Sequence, residues 1–359
     1  MSVEILNAGV IAGLAQIESD SVDCIVTSPP YWGLRDYGAE GQIGLEPTMG
    51  EHIETIVAVF EELRRLLKPE GTCWLNYGDA YASSVNGKTH MTEDGRVRSD
   101  RDDRTFTDKP MSTVGGYAKP KDLLMLPNRV AIALQEAGWW IRSEIVWYKS
   151  NPMPESVRDR PTQTHEKIFL MTKSQRYYFD AAAIREPVSP NTNARVSQNV
   201  AAQEGSRRAN GGTRPDRPMK AMLGVSPKSA AEDDVYNKAK GSFHASTVLR
   251  VQERNARNVW EVASRPFSEA HFATFPPEIP ERCIKAGCPR DGHVLDPFGG
   301  AGTTGLVAAR LGRRATLIEL NPEYAEMARR RIDSEDPHVE QAAPCGAVQL
   351  PMFTEESAV

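Results

Sequence analysis

Six residues near the N-terminus combine a hydroxyl, two prolines and two aromatic rings, reading Thr-Ser-Pro-Pro-Tyr-Trp at positions 27–32. Two consecutive prolines cannot extend a helix or donate to a sheet ladder, so the backbone leaves the apolar run Cys24-Ile25-Val26 in one rigid shape. That shape would aim the Ser28 hydroxyl, the Pro29 carbonyl and the face of Tyr31 into a pocket. The combination suits gripping a flat ring that bears an amine; the alternative is a structural turn whose aromatic rings pack in the core.

A glycine-rich turn near the other end of the chain is the second chemical motif. Residues 293–305 read His-Val-Leu-Asp-Pro-Phe-Gly-Gly-Ala-Gly-Thr-Thr-Gly and precede an apolar helical stretch. Gly300, Gly302 and Gly305 fit the pattern G-x-G-x-x-G, in which glycines let the backbone approach a ligand at a helix N-terminus. A further predicted strand then delivers Glu319, an acid placed to take both ribose hydroxyls of a nucleoside cofactor. The glycine pattern alone serves a nicotinamide cofactor equally well, although the Asp-Pro-Phe before it is less typical of a dinucleotide turn.

Taken together, the motifs resemble the amino-methyltransferases of DNA, which carry a methyl group from S-adenosylmethionine to an exocyclic amine. The resemblance covers most of the chain, in five segments: 28–31, 144–151, 164–166, 271–276 and 296–305. The catalytic loop precedes the cofactor loop, which is the order of the permuted beta group of that family. In a doubly wound sheet, ligands sit beyond the carboxyl ends of the strands, so the two loops need only follow neighbouring strands.

The resemblance also implies roles for individual residues. The expected catalytic residues are Ser28, Pro29, Pro30 and Tyr31. The expected cofactor-binding residues are Thr274, Phe275, Pro276, Asp296, Phe298, Gly300, Gly302, Thr303, Thr304 and Glu319, with a place in the core under the loop as the alternative for Phe298. Tyr31 would stack on a nucleotide flipped out of the duplex, while Trp32 would contact DNA beside it or pack the loop. No acid follows the first predicted strand, where Asn7-Ala8-Gly9 stands and the family commonly has an acid for the adenine end of the cofactor.

The target base is the finest prediction that the resemblance allows. Serine at the start of the catalytic loop, Ser28 here, is common among enzymes that make N4-methylcytosine, whereas adenine-specific relatives more often carry aspartate. Cytosine N4 is therefore favoured, and adenine N6 stays open as the alternative.

Helices and strands alternate along the chain in the rhythm of an α/β sheet. Residues 51–67 keep one helical face apolar, and residues 68–71 end that helix before a strand at 72–75. The same helix-to-strand step recurs at 127–137 and 139–148. The predicted fold is α/β, with a doubly wound, mostly parallel sheet of the Rossmann-like methyltransferase type, a circularly permuted motif order and an inserted basic target-recognition region.

Charge is unevenly distributed along the chain, whose formal net charge is −5. Residues 181–257 carry thirteen Lys and Arg against seven Asp and Glu, a local excess of six positive charges in an otherwise acidic protein. Such a stretch is the expected footprint of a phosphate-contacting surface, or else a solvated insertion that happens to be basic. The candidate contacts to double-stranded DNA are Arg207, Arg208, Arg214 and Arg217.

The predicted organisation places a catalytic half at 1–180, with a polar loop at 84–118 that is either passively disordered or ordered by substrate. A target-recognition region follows at 181–260, then a cofactor-binding half at 261–336 and a frayed tail at 337–359. A cognate restriction endonuclease is a partner that the resemblance leaves open.

Composition excludes several classes of protein. The chain has 359 residues, 40% of them hydrophobic and 25% charged, and lacks the run of about eighteen apolar residues that a membrane helix needs. We therefore expect a cytoplasmic protein without membrane contact. Its five scattered cysteines predict neither disulfides nor a structural metal. The remaining alternatives are a nicotinamide-dependent oxidoreductase, an inactive DNA-binding module and a methyltransferase acting on RNA.

Overall fold

The structure is a computed structural model that describes residues 3–33, 39, 41–82, 118–119, 121–189, 253–265 and 275–334, with the backbone alone at 89–91 and 97–99. The chain divides into two compact units. One unit comprises residues 1–183 together with 257–359, and the other comprises residues 184–256. Most of the basic region, including the four candidate arginines, lies outside the described residues, as does the tail. Within the predicted loop at 84–118, the structure describes two short paired strands, at 89–91 and 97–99, and the last residue, 118.

The described residues include twelve strands and six helices. The strands are β1 (Val3–Asn7), β2 (Val22–Thr27), β3 (Leu67–Tyr77), β4 (Thr89–Met91), β5 (Val97–Ser99), β6 (Trp140–Tyr148), β7 (His165–Thr172), β8 (Glu186–Pro187), β9 (Glu253–Arg254), β10 (Val259–Glu261), β11 (His293–Asp296) and β12 (Arg314–Glu319). The helices are α1 (Val10–Leu14), α2 (Met49–Leu66), α3 (Leu126–Glu136), α4 (Glu278–Gly287), α5 (Thr303–Arg310) and α6 (Pro322–Ser334).

Eight strands form the central sheet in the order β1-β12-β11-β2-β3-β7-β6-β10. The strand β7 runs antiparallel to both of its neighbours, and every other pairing in the sheet is parallel. Two further pairs, β4 with β5 and β8 with β9, are antiparallel ladders of their own. The large, mostly parallel sheet with alternating helices confirms the predicted fold class.

The sequence accounts for the long helix α2 and its two ends. Thr48 accepts from the backbone N–H of Glu51, whose carboxylate accepts from the backbone N–H of Thr48, so a reciprocal cap starts the helix two residues before the predicted position. Its buried face includes Ile56 and Phe60. Strand β3 begins directly at Leu67, so residues 68–71 already belong to the strand that was predicted at 72–75. Pro69 favours the extended conformation of Lys68 before it.

The two chemical motifs follow neighbouring strands, as predicted. Strand β2 ends at the catalytic loop and β11 ends at the glycine turn, and the two strands pair in parallel through Val294 with Cys24 and Leu295 with Ile25. Parallel strands end at the same edge of the sheet, so the two loops meet there. Strands β1, β3, β6 and β12 end at that edge as well, whereas the antiparallel β7 begins there.

Four cysteines, Cys24, Cys73, Cys283 and Cys288, are buried and carry free thiols. Burial raises the pKa of the Cys73 thiol and, to about 12, that of Cys288. Across the residues that the structure describes, no helix combines the length and the apolar character that crossing a membrane requires.

Helix α4 packs against the sheet through its last residue, Gly287. A Cβ atom there would lie 2.2 Å from Thr72 Oγ1 and 2.5 Å from Trp74 Nε1. The Thr72 hydroxyl donates to the Gly287 carbonyl at 2.9 Å and accepts from the Trp74 indole at 3.1 Å. The absent side chain therefore allows a hydrogen-bonded contact between the helix and the sheet.

We expect Gly287→Ala to lower the free energy of unfolding by about 1–3 kcal/mol, because the added methyl group overpacks this contact. Gly50→Ala in α2 is the matched control, since its Cβ would meet only Thr48 Oγ1 at 3.8 Å. That control should leave stability unchanged or raise it by about 0.4–1 kcal/mol. Urea unfolding of both variants checks the prediction, and equal stability of the two would contradict it.

Candidate active site

A cavity of about 790 Å³ opens where the catalytic loop and the glycine turn meet. This volume lies within the usual range for small-molecule sites, about 300–1,000 Å³. Ten of the predicted site residues line it: Ser28, Pro29, Pro30, Tyr31, Phe275, Asp296, Phe298, Gly300, Thr303 and Glu319. The fold thus brings both halves of the predicted site to one cavity.

The other predicted site residues have different positions. Pro276, Gly302 and Thr304 are buried and do not line the cavity, whereas Thr274 lies outside the described residues. Of the two roles expected of Trp32, the structure contradicts DNA contact and supports packing of the loop: its side chain is packed in the core, only 5% exposed, and its indole N–H donates to the Glu46 carbonyl at 2.8 Å. The indole therefore packs the loop and presents no face to DNA.

Asp296 joins the two loops through hydrogen bonds. Its carboxylate accepts from the Thr27 hydroxyl at 2.8 Å, the Thr304 hydroxyl at 2.7 Å and the Phe298 backbone N–H at 3.1 Å. The side chain is buried, and this burial raises its pKa to about 7 against the lowering effect of the three donors. One carboxylate thus ties the end of β2, the glycine turn and the first turn of α5 together.

The glycines of the turn satisfy steric and conformational demands. Gly300 and Gly302 have φ angles of +50° and +76°, in the left-handed region that favours glycine. A Cβ on Gly302 would also lie 2.9 Å from Ala328 Cβ, and one on Gly305 would lie 2.8 Å from Leu317 Cδ1. The G-x-G-x-x-G pattern therefore combines a left-handed turn with close helix packing.

Glu319 lies at the end of β12 with its carboxylate at the cavity. Its oxygens accept from the backbone N–H groups of Gly300 and Asn321 at 2.7 and 2.8 Å. Burial raises the pKa of this carboxyl group. Asn7, at the position where the resembled family commonly has an acid, instead donates to the carbonyls of Glu319 and Leu320 and so braces β1 against β12.

Tyr31 is held from two sides. Its ring stacks on Tyr77 with centroids 4.8 Å apart, and its hydroxyl donates to Glu166 Oε2 at 2.9 Å. The Ser28 hydroxyl lies 3.3 Å from the Tyr31 hydroxyl. Burial raises the pKa of Tyr31, and the nearby charge of Glu166 raises it further by a smaller amount. The phenol is therefore neutral near pH 7.

A buried polar chain fixes Tyr77 in turn. The imidazole of His52 lies between two partners, with Nε2 2.6 Å from the Tyr77 hydroxyl and Nδ1 2.8 Å from Glu46 Oε2. Glu46 also accepts from the backbone N–H of Gly44, whose carbonyl accepts from the N–H of Gly33 just after the catalytic loop. The loop is therefore supported by a continuous set of hydrogen bonds.

Several cavity residues carry polar chemistry that the sequence reasoning did not assign: Asn76, Lys149, Glu166, Asn321 and Tyr324. Lys149 and Glu166 fall within segments that carry the family resemblance. Lys149 directly follows the end of β6 and Glu166 lies near the start of β7, both at the loop edge. Asn76 is a polar residue within the buried strand β3, only 4% exposed. A polar residue at the end of an apolar run was the signal available for it.

Residues 22–330 match a protein-family model described as DNA methylase. The chain belongs to this family. The methylase is 40% identical to the Type II methyltransferase M.Cfr9I of Citrobacter freundii over 326 residues, which cover 91% of this chain and 86% of that relative. As a member of this family, the chain transfers methyl groups to DNA. Its sequence motifs are those of the amino-methyltransferases. Membership in this family decides against the nicotinamide-dependent oxidoreductase.

Solved structures share the fold of the methylase. The PvuII DNA methyltransferase (cytosine-N4-specific) aligns with a TM-score of 0.55 at 16% identity, covering 94% of this chain and 88% of that one. The structure of a Thermus thermophilus protein complexed with S-adenosyl-L-methionine aligns with a TM-score of 0.50 at 20% identity, covering 92% of this chain and 95% of that one. At these identities the comparison supports the fold.

We expect Asp296→Asn to change how the stability of the methylase depends on pH. The folded protein keeps the Asp296 proton up to about pH 7, whereas an unfolded aspartate releases it near ~3.9. The stabilising contribution of this proton is complete below ~3.9 and is lost as the pH rises through about 7.

The free energy of unfolding of the wild type minus that of Asp296→Asn should therefore fall by at most about 1.4 kcal/mol per pH unit between about pH 4 and 7, then level off. Asparagine can keep the same neighbours, with its oxygen accepting from Phe298 and its amide donating to Thr304. Urea unfolding across this pH range measures the difference. A difference that does not vary with pH would contradict the assignment.

Proposed function

We propose that the methylase transfers a methyl group from S-adenosylmethionine to the N4 amine of a cytosine at a specific site in double-stranded DNA. The single observation that carries the proposal is that the Ser28–Tyr31 loop and the glycine turn with Glu319 line one cavity. Adenine N6 is the alternative target. Serine at the start of the catalytic loop supports cytosine.

The cofactor half of the cavity fits a nucleoside-bearing donor. Gly299 and Gly300 bring backbone to the cavity wall. Each carboxylate oxygen of Glu319 accepts a hydrogen bond from one backbone N–H and can accept a second one from a ligand. Glu319 would take the ribose hydroxyls, and Phe275 and Phe298 would give the cavity apolar walls. When bound, S-adenosylmethionine supplies a methyl group on a positively charged sulfur, which needs no acid to leave.

Ser28 and Pro29 would hold the amine that receives the methyl group. An exocyclic amine is a poor nucleophile because its lone pair is delocalised into the base. Hydrogen bonds from its two N–H groups to Ser28 Oγ and to the Pro29 carbonyl would draw the nitrogen toward a tetrahedral shape and aim the lone pair. Such placement of two reactants can lower a barrier by about 7–11 kcal/mol.

Tyr31 would stack on the extruded base, since a base inside a duplex cannot reach the cavity. One face of its ring lies against Tyr77, so a base would stack on the other. The phenol is fixed by Glu166, which makes the ring a preorganised platform whose ordering adds little cost on binding.

We further infer that the methylase works beside a cognate restriction endonuclease in a restriction–modification system. This inference is supported by the name Type II methyltransferase of a relative that matches 91% of the chain at 40% identity.

The role of Glu319 predicts a binding defect. We expect Glu319→Gln to weaken the binding of S-adenosylhomocysteine about tenfold or more in calorimetry, because hydrogen bonds to a charged group contribute about 1.5–3 kcal/mol. Glu326→Gln is the matched control, because Glu326 is exposed on the neighbouring helix α6 and pairs with Arg329.

Glu319 also anchors the N–H groups of Gly300 and Asn321, so thermal unfolding of both variants should be recorded alongside binding. A folded Glu319→Gln protein that binds S-adenosylhomocysteine as the wild type does would remove Glu319 from the proposed cofactor site.

The reaction itself is tested in cells. Nucleoside mass spectrometry of host DNA should show a new methylated base after expression of the wild type, and its mass decides between N4-methylcytosine and N6-methyladenine. Ser28→Ala and Tyr31→Ala should abolish most of the signal, because they remove an amine acceptor and the stacking ring. Ser143→Ala, a half-buried residue of β6 that does not line the cavity, is the control and should retain it. Unmodified DNA after wild-type expression would contradict the proposal and would favour an inactive DNA-binding module.

A further inference from the structure

A line of polar groups runs from Ser28 away from the cofactor half of the cavity. The Ser28 hydroxyl lies 3.3 Å from the Tyr31 hydroxyl, which donates to Glu166 Oε2 at 2.9 Å. Lys149 Nζ lies 2.5 Å from Glu166 Oε1. Ser28, Tyr31, Lys149 and Glu166 all line the cavity, so the line is part of its wall.

The hydrogen-bond directions along this line are mutually consistent. Tyr31 donates to a carboxylate, which can only accept when ionised. The Tyr31 oxygen is then available to accept from Ser28, and the Ser28 oxygen is available to accept from an amine in the cavity. Every hydroxyl therefore donates toward Glu166 and accepts from the cavity side.

We propose that Glu166 receives the proton that the target amine loses on methylation, through the hydroxyls of Ser28 and Tyr31. This inference rests on the proposed function. As the new N–CH₃ bond forms and the bond between sulfur and methyl carbon breaks, the amine nitrogen gains a positive charge and must lose one proton. That proton passes to Ser28 Oγ, the Ser28 proton passes to Tyr31, and the Tyr31 proton passes to Glu166. Both hydroxyls end neutral, and Glu166 ends as a carboxylic acid.

Two other carboxylates line the cavity within the described residues, and both are engaged elsewhere. Asp296 accepts from two hydroxyls and one backbone N–H between the loops. Glu319 is held by two backbone N–H groups at the end of β12, next to the glycine turn. Of these three acids, Glu166 is the one that accepts a hydrogen bond from the catalytic loop residue Tyr31.

The surroundings of Glu166 fix the position of its carboxylate. Lys149 supplies a positive charge beside one oxygen, and its ammonium group lies 4.8 Å from the centre of the Trp147 ring, which limits its movement. Asn76 donates to the other oxygen at 3.1 Å and to the Lys167 carbonyl at 3.2 Å. The carboxylate is thereby aimed at Tyr31 before substrate arrives.

Single-turnover methylation of a DNA substrate by purified full-length protein tests the inference. In Glu166→Gln the amide oxygen can still accept from Tyr31, so the ring keeps its anchor while the basic group is lost. We expect a rate about 10²-fold below that of the wild type, the usual scale of general-base contributions, with unchanged affinity for DNA and S-adenosylhomocysteine. Glu144→Gln is the matched control, because Glu144 pairs with Lys167 on the neighbouring strand and does not line the cavity.

A double-mutant cycle with Tyr31→Phe separates a relay from a structural role. Tyr31→Phe keeps the stacking ring but breaks the line, so adding Glu166→Gln to it should slow the reaction no further. The wild-type rate should also fall in D₂O, and this isotope effect should be lost in Tyr31→Phe.

Additive effects of the two substitutions, a wild-type rate in Glu166→Gln, or loss of DNA affinity without loss of the single-turnover rate would each overturn the inference. None of these outcomes touches the proposed function, which fails only if the wild type itself does not methylate DNA.

Discussion

The parallel pairing of β2 with β11 is the constraint on which the site depends. It brings residues 27–31 and 296–305 to one edge of the sheet although more than 260 positions separate them. Asp296 then fixes the two loops to each other, with Thr27 on one side and Thr304 on the other. A buried polar group is costly unless it is hydrogen-bonded, so the Asp296 side chain needs both loops in place. The junction of the catalytic and cofactor halves is therefore specified by a polar contact as well as by strand pairing.

Rigidity of the catalytic loop comes from several layers of contact. The prolines restrict the backbone, and Tyr77 and Glu166 hold Tyr31 by its ring and by its hydroxyl. Behind them, His52 and Glu46 complete a buried hydrogen-bonded chain that reaches the backbone beyond the loop. A site that is preorganised in this way loses less conformational freedom when a base enters it, so more of the contact energy remains for binding and orientation.

Three carboxylates around one cavity have three different environments, which suits them to different tasks. Asp296 is buried among hydroxyl donors and has a pKa of about 7, which fits a structural junction. Glu319 is held by backbone N–H groups at the glycine turn, where a ribose would lie. Glu166 is paired with Lys149 and accepts from Tyr31, and it is the acid that our relay assigns to the proton. Under these proposals, Asp296 holds the loops, Glu319 would hold the cofactor and Glu166 would receive the proton.

The sequence by itself determined the strand-turn-helix character of the glycine motif, the rigid proline loop and the α/β order of elements, because these depend on local conformational preferences and on hydrophobic periodicity. It also indicated ten residues that line one cavity. Only the tertiary structure decided that Trp32 is buried, that Thr304 supports Asp296 and that Lys149, Asn76 and Glu166 meet at Tyr31. Strand β7 enters the sheet against the direction of its neighbours, so Glu166 near its start reaches the edge where β3 and β6 end. Such a meeting depends on strand order and direction, which no local pattern in the chain encodes.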